Sequence, residues 1–264
     1  MATLLGQLLF PPPPSAIVAA MSAISLVSLA NAGASELRGR HLQYSKFWDS
    51  QPNKVGIKIS SRAGMFALYA PAAIAGLVSF GFPAVAASPR GWLLSLALSV
   101  HFLKRVFEVL FVHQYSGAMI LDSVIPISLS YFLSTVTAIY AQYLTQGLPE
   151  PEVDLKYAGI TLFLLGISGN FYHHLILSKL RNKDDKGYKI PKGGLFGLVI
   201  CPHYLFEIIG FVGISCISQT LYVLSFTLGT VLYLMGRSYV TRRWYLSKFP
   251  NIPKNVKALI PFVF

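Results

Sequence analysis

Long apolar runs, separated by short polar connections, follow one another along the whole chain of 264 residues. A helix needs about 20 mostly apolar residues to cross the hydrocarbon core of a membrane. Seven runs approach that length: residues 16–34, 64–87, 91–112, 123–143, 157–177, 195–217 and 220–235. Little more than Ser218 and Gln219 separates the last two runs, so the pattern leaves their boundary open. We therefore predict an all-α fold, a polytopic membrane bundle of about seven helices that occupies residues 1–264 as one domain.

The third run differs from the others because ionisable side chains interrupt its apolar sequence. His101, Lys104, Arg105 and Glu108 all lie within it. Each formal charge costs roughly 2.5–3.5 kcal/mol at the centre of a bilayer, so three charges cost roughly 7–10 kcal/mol before any pairing. We therefore predict a polar site inside the bundle, with Glu108 neutralising Lys104, which lies four residues earlier.

The net charge of +12 is distributed very unevenly along the chain. Three segments, which precede the second run, separate the fifth from the sixth and follow the seventh, hold 18 of the 22 Lys and Arg residues. With seven crossings all three lie on one side of the membrane, and the positive-inside rule identifies that side as cytosolic. Arg90 and the acidic loop with Glu150 and Asp154 fall on the opposite face. The distribution predicts a non-cytosolic N-terminus, a cytosolic C-terminus and contact with a lipid bilayer, not with nucleic acid.

Residues 169–207 hold the densest group of polar side chains that could carry chemistry. Asn170 lies in the fifth run, and Pro202 interrupts the sixth, where it exposes backbone groups that a cavity or a neighbour must satisfy. Arg181 and Arg237 each sit just beyond the end of an apolar run, where a guanidinium group could hold a phosphate. We expect an anionic ligand to enter from this side.

Several kinds of site are compatible with these polar residues. His173, His174, His203 and Glu207 could form a metal site, but adjacent histidines on a helix point about 100° apart, and no HExxH or HxxxH pair occurs. We therefore predict no metal. A Ser-His-Asp hydrolase would lack its GxSxG turn, and a Rossmann dinucleotide site would lack its GxGxxG loop. A nucleotide would have to be held by side chains within the bundle, and the polar groups could also simply join helices to one another.

Two sequence segments carry a family resemblance. KIPKGGLFGLVICPHYLFEIIGF, at residues 189–211, and WYLSKFPNIPKNVKALIPFVF, at residues 244–264, resemble the C-terminal signature of the steroid 5-alpha-reductase family. That family also includes very-long-chain trans-2-enoyl-CoA reductases and polyprenol reductase. The resemblance covers roughly residues 64–264, is most specific over residues 165–264, and is greatest for a plant subgroup labelled steroid 5-alpha-reductase-like.

The resemblance implies a fold, a location and a reaction. It implies seven helices in the endoplasmic reticulum membrane, with the N-terminus lumenal, and NADPH bound inside the bundle from the cytosolic side. It also implies reduction of a carbon–carbon double bond conjugated to a carbonyl. The positions that match the cofactor-binding pattern are Arg105, Asn170, Arg181, Tyr188, Lys189, Glu207, Arg237 and Tyr245. Lys189 stands where related enzymes often have Arg, which keeps the charge but loses the planar fork of donors.

The positions expected to bind the substrate depart from the pattern of steroid reductases. Where those enzymes hold the steroid ketone with a Glu of the second helix and a Tyr of the third, this chain has Tyr69 and Phe102. The segment HFLKRVFEVLFVHQYS, at residues 101–116, instead is similar to enoyl-CoA reductases. Their catalytic Lys and Tyr match Lys104 and Tyr204.

The chemistry implied by the resemblance defines what the site must supply. Negative charge develops on the carbonyl oxygen when a hydride adds to the β-carbon, and one good hydrogen-bond donor there lowers the barrier by about 3–4 kcal/mol. We expect Tyr204, assisted by Lys104, to serve this oxygen and to supply the proton, with Tyr69 as the second candidate.

The resulting hypothesis is an NADPH-dependent reductase of an α,β-unsaturated carbonyl lipid, in the first place a Δ4-3-oxosteroid. The alternatives are a trans-2-enoyl-CoA reductase and a non-catalytic membrane scaffold or lipid-binding module.

Overall fold

The computed structural model describes residues 4–42, 47, 56–115, 117–180 and 187–264, which are mostly helical. The α-helices of these residues, in chain order, are α1 Leu4–Leu8, α2 Ala16–Leu37, α3 Ser61–Ser79, α4 Pro83–Ala87, α5 Pro89–Phe107, α6 Leu121–Tyr143, α7 Lys156–Lys179, α8 Pro202–Ser218 and α9 Leu221–Lys248. A π-helical turn, Glu108–Val112, continues α5, and a 3₁₀ turn, Gly194–Gly197, precedes α8.

Five of the helices in the described ranges are long and apolar enough to cross a membrane: α2, α3, α6, α7 and α9. α8 is apolar too but is shorter, with 17 residues. α5 is not in this group, and its 19 residues include Arg90, Lys104 and Arg105. The chain is therefore a multi-pass membrane bundle with five clear spanning helices, where the sequence predicts about seven.

Proline determines where two of the predicted runs change structure. The run at 64–87 divides into α3 and α4, because the chain turns at residues 80–82 and Pro83 starts a new helix. The run at 195–217 begins with the 3₁₀ turn, and α8 itself starts at Pro202. Proline is favoured in the first turn of a helix, where its missing N–H would have no intrahelical partner. The prediction that Pro202 interrupts the sixth run agrees with this division, in which the 3₁₀ turn precedes Pro202 and α8 begins at it.

A short two-stranded antiparallel sheet, which the all-α prediction missed, fixes the starts of α3 and α6. β1 Lys58–Ser60 pairs with β2 Ala118–Ile120, with Ile59 opposite Met119. The Ser61 N–H also donates to the Gly117 carbonyl at 3.0 Å. The starts of α3 and α6 are thereby held side by side at one end of the bundle.

Contacts along the helices show the directions in which they run. The Ser25 and Tyr222 hydroxyls lie 3.4 Å apart, and further along both helices Glu36 pairs with Arg237, so α2 and α9 are parallel. α7 and α8 run antiparallel, because Gly159 faces the end of α8 while Gly169 faces Phe206. The C-terminal ends of α2, α7 and α9 consequently meet at the same end as the start of α8.

The opposite end of the bundle is closed by a buried arginine. Arg90 is 2% exposed and donates to the Ile217 carbonyl at 2.6 Å and to Gln219 Oε1 at 3.0 Å. Its guanidinium also pairs with Asp154 at 2.8 Å and with Glu150. The prediction that these three charged residues share a face is consistent with this contact.

Gln219 makes the turn between α8 and α9. Its backbone is left-handed, with φ of 49°. Its side-chain amide donates to the carbonyls of Leu8 at 2.5 Å and Val153 at 2.9 Å. The boundary that the apolar pattern left open is therefore a tight turn that also ties down two distant segments.

α7 and α8 pack closely through glycine. A Cβ atom at Gly166 would lie 2.5 Å from the Gly210 Cα, and a Cβ atom at Gly159 would lie 2.7 Å from the Gly213 carbonyl oxygen. Small residues at such contacts let membrane helices approach at backbone distance, where van der Waals packing holds them together. The site-bearing ends of both helices depend on this close approach.

We expect Gly166→Leu to push α8 away from α7 and to lower the stability of the purified protein in detergent. Overpacking costs about 1–3 kcal/mol, which corresponds to a thermal midpoint lower by roughly 2–10 °C. Gly197→Ala is the matched control, since a Cβ atom there meets nothing within 4 Å. Equal midpoints for the two variants would contradict the packing described here.

Candidate active site

A buried cluster of charges forms where α5 passes into its π-helical turn. Glu108 is 0% exposed, and its carboxylate accepts hydrogen bonds from Lys104 Nζ at 2.8 Å and Arg105 Nη1 at 2.7 Å. His174 Nδ1 of α7 lies 3.0 Å from the same carboxylate. Spacings of three and four residues bring the two cations onto the face of Glu108. The prediction that Glu108 neutralises Lys104 is confirmed, and Arg105 is a second partner.

Arg105 connects this cluster to α3. Its Nη2 donates to the Tyr69 hydroxyl at 2.6 Å, and its guanidinium carbon lies 4.7 Å from the centre of the Tyr69 ring. The Tyr69 hydroxyl oxygen accepts from Arg105, and a phenol O–H can act as a donor as well as an acceptor. A cation beside a phenol oxygen also makes its O–H a stronger donor.

Lys104 connects the cluster to the start of α8. It donates to Asn170 Oδ1, and Asn170 Nδ2 donates to the His203 carbonyl at 2.8 Å. His203 directly precedes Tyr204. The link between Lys104 and Tyr204, expected as a catalytic pair, therefore runs through Asn170 and the backbone of α8.

Two cavities lie beside this cluster and share a wall. The polar cavity has a volume of about 260 Å³, and the residues that characterise it are Tyr69, Arg105, His113, Tyr115, Tyr204 and Glu207. The apolar cavity has a volume of about 250 Å³, and its walls include Leu29, Leu68, Ile127, Phe211 and Phe226. The residues common to both cavities are Met65, Tyr69, Tyr131, Glu207, Tyr233 and Leu234. We call this shared wall the junction.

A third cavity continues the polar cavity toward the end of the bundle where α7 and α9 terminate. This mouth cavity has a volume of about 180 Å³, and Lys189, Arg237 and Tyr245 line it. Tyr188 and Tyr204 line both the mouth cavity and the polar cavity. The three cavities thus form a series that begins at a basic mouth and ends in an apolar chamber.

The two segments that carry the family resemblance pack against each other beneath the mouth cavity. The Ile200 N–H donates to the Lys257 carbonyl at 2.9 Å, and the Cys201 N–H donates to the Ala258 carbonyl at 3.0 Å. Arg242 donates to the Val256 carbonyl at 2.7 Å. The C-terminal segment therefore fixes the start of α8, on which Tyr204 and Glu207 are carried.

Arg237 lies in a different environment from the one predicted. α9 continues to Lys248, so Arg237 is inside the helix, 1% exposed, and not beyond its end. Its Nη1 donates to Glu36 Oε1 at 2.7 Å. The second Glu36 oxygen lies 2.7 Å from His41 Nδ1. Arg237 faces the mouth cavity from within this buried pair. The apolar run ends before Arg237, as the sequence indicates, but the helix continues past it, and phosphate binding by its guanidinium stays a prediction.

Adjacent histidines of α7 point in different directions, as expected for neighbours on a helix. The Leu195 N–H donates to His173 Nε2 at 3.1 Å, while His174 faces Glu108. Within the described ranges, Glu108, His113 and His174 place donor atoms within 4.8 Å of one another. Lys104 and Arg105 are bonded to the same carboxylate, so a divalent cation there would be repelled by two adjacent positive charges.

Eight of the eleven residues proposed from the sequence line the series of cavities: Tyr69, Arg105, Tyr188, Lys189, Tyr204, Glu207, Arg237 and Tyr245. Lys104 and Asn170 hold the polar cluster instead. Arg181 lies outside the described residues.

Sequence reasoning missed Glu36, Tyr115, Tyr131 and Tyr233. Glu36 could have been found from the sequence, because it is an acidic residue in the last turn of an apolar helix. The helix dipole disfavours a negative charge there, so a cation is expected nearby. The three tyrosines could not have been found in this way, since aromatic residues are common throughout this chain.

Comparison with known proteins identifies relatives. The family described as 3-oxo-5-alpha-steroid 4-dehydrogenase matches residues 120–264. A 3-oxo-5-alpha-steroid 4-dehydrogenase 2 of Macaca fascicularis is 32% identical over 180 residues, which cover 67% of this chain and 70% of that protein.

Two further relatives carry different names. A steroid 5-alpha-reductase of Gossypium hirsutum is 42% identical over 108 residues, which cover 40% of this chain and 42% of the relative. A very-long-chain enoyl-CoA reductase of Dictyostelium discoideum is 32% identical over 182 residues, which cover 67% of this chain and 60% of the relative. For these two the match spans less than two thirds of the relative's own length.

We expect Glu36→Gln to destabilise the protein by about 3–5 kcal/mol, because it leaves the buried Arg237 without its carboxylate. The double variant Glu36→Gln, Arg237→Gln should recover most of that loss, since no charge is then left unpaired. The measurement is thermal unfolding, in detergent, of Glu36→Gln, of Arg237→Gln and of the double variant. If the stability loss of the double variant equals the sum of the losses of the two single variants, the ion pair between Glu36 and Arg237 is contradicted.

Proposed function

Because this chain belongs to the 3-oxo-5-alpha-steroid 4-dehydrogenase family, we propose that it is an NADPH-dependent membrane reductase of α,β-unsaturated carbonyl lipids. Its first candidate substrate is a Δ4-3-oxosteroid, reduced to the 5α product. The observation that carries this proposal is the junction, where an apolar chamber meets a cation-lined polar cavity at Tyr69 and Glu207.

The residues present fit a nicotinamide dinucleotide. Among the described residues the Glu207 carboxylate has no hydrogen bond or ion pair, although it lines both cavities at the junction. A carboxylate in such a position calls for N–H donors from a ligand, and the carboxamide of a nicotinamide supplies them. Lys189 and Arg237 offer positive charge to phosphate groups in the mouth cavity. NADPH, when bound, supplies the hydride that reduces the double bond.

The chain's own residues stabilise the carbonyl oxygen and supply the proton. The apolar cavity would hold the hydrocarbon body of the substrate, which brings its carbonyl to the junction. Tyr69, polarised by Arg105, donates a hydrogen bond to the oxygen on which negative charge develops. Tyr204, on the other side of the polar cavity, gives its proton to the α-carbon and is reprotonated from solvent through the mouth. Overall, one enone, NADPH and one proton yield the saturated carbonyl and NADP⁺.

A trans-2-enoyl-CoA is the second candidate substrate. Relatives that match this chain include very-long-chain enoyl-CoA reductases. The partly buried Lys104 of the similar segment and an apolar chamber suited to an acyl chain favour it. A non-catalytic scaffold remains the third alternative, and it predicts no turnover of either compound.

The proposal also includes a location. We infer a multi-pass protein of the endoplasmic reticulum membrane, comprising one reductase domain with its C-terminus in the cytosol. The mouth cavity then opens on the face that carries most of the basic residues, where an anionic cofactor arrives.

Turnover by microsomes that contain the protein distinguishes the candidates. The microsomes are given NADPH with either a Δ4-3-oxosteroid or a long trans-2-enoyl-CoA, and the products are identified by mass spectrometry. We expect reduction of the steroid. Turnover of the acyl-CoA alone would overturn the steroid assignment, and turnover of neither would favour the scaffold. Microsomes without the protein are the control.

We expect Tyr69→Phe and Tyr204→Phe each to lower kcat about 10²-fold, because each removes a donor that acts as charge develops. NADPH affinity, measured by fluorescence titration, should stay nearly unchanged in both. Tyr143→Phe is the matched control, since this tyrosine is 46% exposed at the end of α6. Full activity in both site variants would contradict the assigned roles.

A further inference from the structure

We infer that Tyr115 is a further catalytic residue, which donates a second hydrogen bond to the carbonyl oxygen of the substrate at the polar cavity. This inference rests on the proposed reduction of an unsaturated carbonyl. Its central observation is a buried hydroxyl group for which the described part of the protein provides no partner.

The Tyr115 hydroxyl is buried and makes no hydrogen bond among the described residues. Tyr115 lines the polar cavity together with Tyr69 and Arg105. A buried O–H without an acceptor is unfavourable, so a group that enters the cavity is expected to accept from it. The acceptor must be an oxygen or nitrogen lone pair.

The backbone around Tyr115 is held at both ends, so the donor is positioned before a ligand arrives. On one side the His113 N–H donates to the Glu108 carbonyl at 2.8 Å, which closes the π-helical turn. On the other side the Gly117 carbonyl accepts from the Ser61 N–H at 3.0 Å, next to the two-stranded sheet. The His113 ring packs edge-on against the Tyr115 ring at 5.7 Å. A donor held in this way needs little reorganisation when charge develops.

The position of Tyr115 favours the substrate carbonyl over the cofactor as its acceptor. Tyr115 lines the polar cavity but not the mouth cavity, where Lys189 and Arg237 are found. It shares its cavity with Tyr69, which reaches the junction. A carbonyl oxygen carries two lone pairs, so it can accept from Tyr69 and Tyr115 together. Two phenols at one oxygen would stabilise the enolate without forming a full negative charge on either residue.

The test compares Tyr115→Phe with the wild-type protein and with Tyr222→Phe. Tyr222 is a matched control, because its buried hydroxyl lies 3.4 Å from the Ser25 hydroxyl and serves helix packing. Removing an unpartnered hydroxyl should leave the thermal midpoint of Tyr115→Phe unchanged or higher. Tyr222→Phe should lower the midpoint and keep the turnover number. This pair of results separates a ligand-binding hydroxyl from a structural one.

We expect Tyr115→Phe to lower kcat by about 10²-fold, the usual effect of removing one such donor. Infrared difference spectra provide the direct readout. The substrate that is turned over, labelled with ¹³C at its carbonyl, is bound together with NADP⁺, so that no reduction occurs. Its carbonyl stretch should lie at a lower frequency in the wild type and in Tyr222→Phe than in Tyr115→Phe.

Equal carbonyl frequencies in the wild type and in Tyr115→Phe would overturn the inference, whatever the change in turnover. Full turnover by Tyr115→Phe would overturn it as well, while the proposed reduction would stand. If the wild-type protein turns over neither substrate, the proposed function fails, and the inference fails with it.

Discussion

The carboxylate of Glu108 is the group on which the arrangement of the site depends. It is fully buried and accepts hydrogen bonds from Lys104 and Arg105 while it contacts His174. Through Arg105 it positions Tyr69, and through Lys104 it reaches Asn170 and the start of α8. Removing one member of a buried ion cluster leaves an uncompensated charge, which strongly lowers the stability of the folded protein. One acidic residue thereby orients donors on three helices toward a common cavity.

The two ends of the bundle use buried charge for different purposes. At one end Arg90 pairs with acids of the loop before α7 and binds the backbone at the end of α8, and Gln219 joins segments near Leu8 and Val153. The polar groups of that end are thus directed toward one another. At the other end Glu207 points into a cavity, and Lys189 and Arg237 line the mouth. Among the described residues, the basic groups that line a cavity suited to phosphate therefore lie at this second end.

The sequence predicts those features that follow from local spacing. Apolar run lengths locate α2, α6, α7 and α9, and the spacing between Lys104 and Glu108 predicts their ion pair. Features that join distant segments were not predictable from such patterns. The sheet of β1 and β2 pairs two distant segments and involves three residues on each side, too few for a recognisable alternation. The pair between Glu36 and Arg237 joins residues separated by most of the chain, and it required the parallel packing of α2 and α9.

Phe102 illustrates why a departure at one position does not by itself exclude substrate recognition. The resemblance places a ketone-binding tyrosine there, yet the phenylalanine is 1% exposed and packs against Tyr131 and His101. It lines a small apolar void and is not among the residues that line the polar or the apolar cavity. Several other elements contribute hydroxyl-bearing residues to the lining of the polar cavity, among them Tyr69 of α3, Tyr115 of the connection after α5 and Tyr204 of α8. What the chemistry requires is a donor at the carbonyl oxygen, and a cavity built from several elements can receive that donor from any of them.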